Sequence, residues 1–156
     1  MTKHEQFDGL IAGLKGLMGC DFELDAEGLW AVPLASGLTM HVGYREDLDQ
    51  VIAFARLGEL EAGEGFETVA ACLLSANAYW RDTRGFTISL DPDTGALMLH
   101  DRRSAEYFAA PEELRAYADR LETVARELSE QMMQLLEELD LATAAQSEPQ
   151  NDGSRE

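Results

Sequence analysis

The chain has 156 residues, with 30 acidic against 12 basic side chains and a net charge of −18 spread along its length. A field of that sign repels phosphate backbones and anionic lipid, which argues against nucleic acid and membrane as direct partners. One domain of this size buries roughly two thirds of its unfolded surface and needs no cross-link to fold. Accordingly, Cys20 and Cys72, which sit among apolar neighbours and belong to no CxxC or His-spaced pair, are expected as reduced, buried thiols. No charged-then-apolar leader and no apolar run of bilayer length occurs, so the expectation is a soluble, cytoplasmic protein.

In chain order, Phe7, Leu10, Ile11, Leu14, Leu17 and Met18 step by threes and ones, predicting an amphipathic helix over 3–18 that Gly19 ends. Gly9, Gly13 and Gly16 weaken it by about 1 kcal/mol each relative to alanine, so packing of the stripe must hold it. Runs of alternating character follow. Phe22 and Leu24 are interleaved with acids, Leu29 to Leu34 comes after the turn at Gly28, Thr39 to Tyr44 after the turn at Gly37, and Val51 to Leu57 after a polar break. These predict an antiparallel meander. Pro33 lacks an N–H and belongs on an exposed edge or at a strand end, leaving an edge there for pairing with something else.

The stretch from Phe66 to Trp80 carries no charge between Glu67 and Arg81, in a chain that is 27% charged. Phe66, Val69, Leu73, Ala76 and Trp80 form one helical face, and the opposite side, Ala71, Cys72, Ser75, Ala78 and Tyr79, is small or apolar too. A helix apolar nearly all round is covered on both sides. In so short a chain the second cover is expected to be another copy of the same helix across a two-fold axis, with Ala71, Leu74, Ala78 and Tyr79 at the contact, the alternative being a central helix wrapped by its own chain. Next, Phe86, Ile88 and Leu90 alternate with polar residues, 91–95 (DPDTG) turns the chain, and Leu97 and Leu99 continue the return strand of a hairpin. From Pro111 a helix of threes and fours runs to about Leu141. The expected organisation is one domain over 1–141 and a disordered acidic and polar tail over 142–156.

Chemistry-bearing patterns are sparse. His4, His41 and His100 lie in different elements with no metal-ligand spacing, and neighbouring His100 and Asp101 point to opposite faces of their strand. The sequence has no GxSxG and no phosphate-cradling glycine loop, so no enzymatic activity, cofactor or metal is expected. Surface remains as the functional candidate, with Trp30, Met40, Tyr44 and Phe54 in excess of what a minimal core requires.

The order helix, three strands, apolar helix with LLSANAYW, GFTISLDPDTGALML hairpin and long helix resembles the class I secretion chaperones of the Tir-chaperone (CesT-like) family. At residue level the resemblance rests on Leu73, Leu74 and Asn77, on Gly85, Leu90 and Asp91 entering the hairpin, and on Leu97 and Leu99 leaving it. It implies an α+β fold with an antiparallel twisted sheet of about five strands and three helices (α-βββ-α-ββ-α), dimerised through the second helix. It also implies type III secretion function: holding the non-globular N-terminal segment of one or more effectors soluble and secretion-competent, without cofactor or metal. A regulatory protein on the same scaffold, sequestering a transcription regulator or another chaperone, is the alternative. The secretion-apparatus ATPase is a further candidate partner. From apolar pattern and implied placement, Phe7, Leu10, Leu14, Val32, Leu34, Met40 and Val42 are the expected effector contacts.

Overall fold

The computed structural model describes residues 1–63 and 65–147. Helix α1 (Lys3–Met18) begins with a capping box: the Thr2 hydroxyl accepts from the Glu5 N–H at 3.1 Å, and the Glu5 carboxylate accepts from the Thr2 N–H at 3.0 Å. It ends at Gly19 in the left-handed conformation (φ 66°). Strands β1 (Trp30–Pro33), β2 (Thr39–Arg45) and β3 (Gln50–Glu59) make the meander, α2 (Phe66–Ala76) follows, then the hairpin β4 (Thr87–Leu90) and β5 (Ala96–Ser104), then α3 (Pro111–Ser147). The sheet is antiparallel throughout, in the order β1-β2-β3-β5-β4.

Alternation along each strand assigns one face to the core. Val32, Met40, Val42, Val51, Ala53, Ala55 and Leu99 are buried there with Phe7, Ile11 and Leu14 of α1 and Leu114, Leu121 and Val124 of α3. The α1 stripe read from the sequence is therefore spent inside the molecule. Where α1 crosses the start of α3, a Cβ on Gly13 would collide with the Pro111 ring, whereas nothing lies within 4 Å of one on Gly9. Gly13→Ala forces an overpacking cost of about 1–3 kcal/mol against a propensity gain of about 1. Thermal denaturation is expected to show Gly13→Ala melting about 3 °C lower and Gly9→Ala about 3 °C higher than the unaltered chain.

Three local expectations differ from the structure. The uncharged stretch does not stay helical to Trp80: α2 stops at Ala76, and Tyr79 (φ 58°) and Trp80 (φ 54°) both sit in the left-handed region. That region costs a non-glycine residue about 1–2 kcal/mol. Cys20 and Cys72 are exposed, the first because it follows the Gly19 cap, the second because α2 turns Val69 inward and Cys72 outward. Helix α3 continues to Ser147, so the tail expected over 142–156 overlaps it that far, and 148–156 lie outside the described residues. Among the described residues no helix is long and apolar enough to cross a membrane.

Candidate protein-binding surfaces

Of the seven side chains expected to meet a partner, five are core. Phe7 is 4% exposed, and Leu14, Val32, Met40 and Val42 are fully buried. Their apolar character fastens α1 to the sheet. Leu10 and Leu34 remain half-exposed at the margin of that core. The β1 edge is also less open than expected. The Ala31 N–H donates to the Glu23 carbonyl at 2.9 Å and Leu24 bridges to Trp30, so the chain covers its own edge. Pro33, two residues along and so oriented like Ala31, has no N–H to donate on that side.

The opposite margin is different. On α2 only Val69 is fully buried, and the four residues expected at a dimer contact are all on the surface, with Leu74 69% and Tyr79 93% exposed. A narrow apolar groove of about 180 Å³ runs between α2 and β4, lined by Phe66, Ala70, Leu73, Leu74, Ile88 and Leu90. Among the described residues, strand β4 pairs only with β5, which leaves its other edge to be satisfied. Asn77 does so at Ile88: its amide donates to the Ile88 carbonyl at 2.9 Å, and its carbonyl accepts from the Ile88 N–H at 2.8 Å. A side chain thus replaces one residue of a neighbouring strand. Removing it orphans two part-buried backbone groups, and Asn77→Ala is expected to cost about 2 kcal/mol. Urea denaturation measures that loss, and faster hydrogen exchange at the Ile88 amide localises it.

The sheet face turned away from α1 and α3 is the surface that sequence reasoning missed. Register brings His41, Phe54, His100 and Thr87 into one row across four strands. The His41 and Phe54 rings stack with centroids 4.7 Å apart and planes 12° from parallel. His41 is held from behind, its Nδ1–H donating to Asp25 Oδ2 at 2.8 Å. Burial works against ionisation of Asp25, but hydrogen bonds from the Leu29 N–H, His41 and the Glu27 N–H outweigh it and keep this carboxyl below the usual carboxylate range. Burial pushes the His100 pKa down, against the opposing pull of the Asp101 charge, so this ring favours its neutral form.

Beside this row lies an open concavity of about 820 Å³, lined by Ile52, Phe54, Trp80, Met98, His100 and Arg102. The available signal was the run from Val51 to Leu57, apolar at Ile52 and Phe54 as well as at the inward positions, which marks a strand with something to cover on both faces. As alternation required, Asp101 points the other way from His100. It accepts from Arg103 Nε at 2.8 Å and from the Tyr117 hydroxyl at 3.0 Å, and burial together with the Asp101 charge raises the Tyr117 pKa. Among the described residues no group of three His, Cys, Asp or Glu side chains is placed to hold a metal ion.

An α+β frame with an unpaired apolar helix face, an open strand margin and a broad groove across its sheet belongs to the class of domains that hold other polypeptides. The chain belongs to the Tir chaperone protein (CesT) family, which it matches over residues 9–129. Its fold is similar to that of a chain in the ExsC–ExsE complex, at a TM-score of 0.69 and 20% identity, covering 83% of this chain and 96% of that one. It is also similar to a chain of the HopA1–SchA chaperone–effector complex, at a TM-score of 0.63 and 13% identity, covering 80% and 93%. A third likeness is to the Yersinia pestis type III secretion chaperone SycH with a stable fragment of YscM2, at 0.57 and 18%, covering 81% and 99%. No curated protein matches the sequence at a significant level.

Proposed function

We propose that the protein is a cytoplasmic type III secretion chaperone, a homodimer built on α2 and β4, that holds the non-globular N-terminal segment of an effector in a soluble, export-competent form. The observation that carries this reading is family membership across residues 9–129, which spans every strand and most of the helical frame. The exposed apolar side chains Leu74, Tyr79 and Leu90 support it, because a monomer gains nothing by leaving them in water. Binding a disordered segment loses much of the gross interaction energy to ordering, which suits a partner that must later be released.

Affinity capture of the tagged protein from its native cells, with mass spectrometry and limited proteolysis of what is retained, tests the reading. The expected result is protection of a segment near the N-terminus of a secreted protein. Capture of a folded cytosolic regulator, with no such protected segment, would overturn it in favour of sequestration.

A further inference from the structure

The outward positions of β2 to β5 carry Arg45, Arg56, Arg102, His41 and His100 against a single acid, Glu59, which register places opposite Ala96 at the end of β3, in a chain that contains 30. Such scarcity of acid on one face of so acidic a molecule requires a reason that solubility does not supply. Arg45 is already paired with Asp47 at 3.1 Å, and Arg56 with Glu59. Arg102, cross-strand from Ile52, makes no ion pair among the described residues. Its guanidinium therefore stands as an exposed cation at the rim of a groove whose floor is Ile52, Phe54 and Met98. Trp80 forms the wall, 58% exposed and held in its left-handed conformation with its indole Nε1 3.3 Å from Thr87 Oγ1.

We infer that this face docks an extended acidic segment of the partner polypeptide. This deepens the chaperone reading and rests on it for the source of the segment. Met98, His100 and Arg102 lie two residues apart along β5, so their side chains repeat at the spacing of alternate residues in an extended chain. An aromatic or aliphatic side chain enters between Trp80 and Phe54, and an aspartate or glutamate further along the same face meets Arg102. Bidentate pairing of guanidinium with carboxylate gives that end of the groove its preference for acid.

The test uses the full chain and two fluorescein-labelled twelve-residue peptides, one alternating glutamate with phenylalanine and leucine, the other with lysine in place of every glutamate. Fluorescence anisotropy is expected to show the acidic peptide binding, and Arg102→Glu weakening it by about tenfold or more. Amide shifts on titration should centre on Ile52, Phe54 and Met98, with the Trp80 indole moving. Met98→Glu, in the groove floor, is a second variant expected to give the same loss. No binding of the acidic peptide, equal affinity for the variants, or shifts centred on α2 would overturn the inference. Failure here is distinguishable from failure of the chaperone reading. If Arg102→Glu still captures an effector by its N-terminal segment as well as the unaltered chain does, the chaperone reading stands and the acidic-segment inference falls. If no secreted protein is captured, the chaperone reading falls while the peptide titration still decides what this face binds.

Discussion

Val32→Asp is expected to yield no cooperatively folded protein at neutral pH, with loss of partner binding only as a consequence. Val32 is fully buried and pairs across β1 and β2 with Met40, also fully buried. An uncompensated carboxylate at that depth falls among the most damaging of single substitutions, at more than about 4 kcal/mol, against about 5–15 kcal/mol for the whole stability of such a domain. Val32→Ala removes only methyl groups and should cost about 2 kcal/mol. Leu34→Asp, two residues on and half-exposed, is expected within about 1 kcal/mol of the unaltered chain. The pH dependence has a definite sign. Burial raises the pKa of the new aspartate in the folded state above its unfolded value of about 4, so the folded state binds the extra proton. Relative to the unaltered chain, stability is then lost as pH rises above about 4, by about 1.4 kcal/mol per unit until the folded pKa is passed. Urea titrations at mildly acidic and neutral pH measure this directly. A Val32→Asp chain that folds normally but has lost its partner would return Val32 to the binding surface.

What was legible in the sequence was local. The α1 stripe, its Gly19 stop, the meander and the DPDTG hairpin all follow from periods and turn residues a few positions apart, and all are present. Alternation on β2 separated Met40 and Val42 from His41, but it does not say which set faces the helices. The simpler physical assignment, apolar to core, is the one the structure follows. The His41, Phe54 and His100 row joins three strands, and only the β2–β3–β5 register brings its members together. Asn77 looks like the interior of an uncharged helix until β4 is placed beside it. There its amide is worth more at the Ile88 edge than in another helical turn, and the chain leaves helical geometry two residues later. The end of α3 was underestimated because 142–147 (ATAAQS) contains neither glycine nor proline, and the first strong stop is Pro149.

Leu74→Asp is expected to convert the proposed homodimer to a folded monomer. The argument depends on symmetry. About a two-fold axis the same patch meets itself, so one substitution places two carboxylates in or near a single contact, each desolvated and each repelling the other. A penalty of about 3–4 kcal/mol raises the dissociation constant by roughly 100- to 1,000-fold. The fold itself should tolerate the change, because Leu74 is 69% exposed and Val69 supplies the inward anchor of α2. Ala78→Arg, on the exposed turn after α2, should act in the same direction through bulk and charge. Sedimentation velocity reads the change in mass, and circular dichroism confirms that secondary structure is kept. The lower melting temperature expected of the variant should reflect lost association, so it should no longer depend on protein concentration. An unaltered dimer in both variants would move self-association away from α2 and leave Leu74, Ala78 and Tyr79 exposed for a different partner.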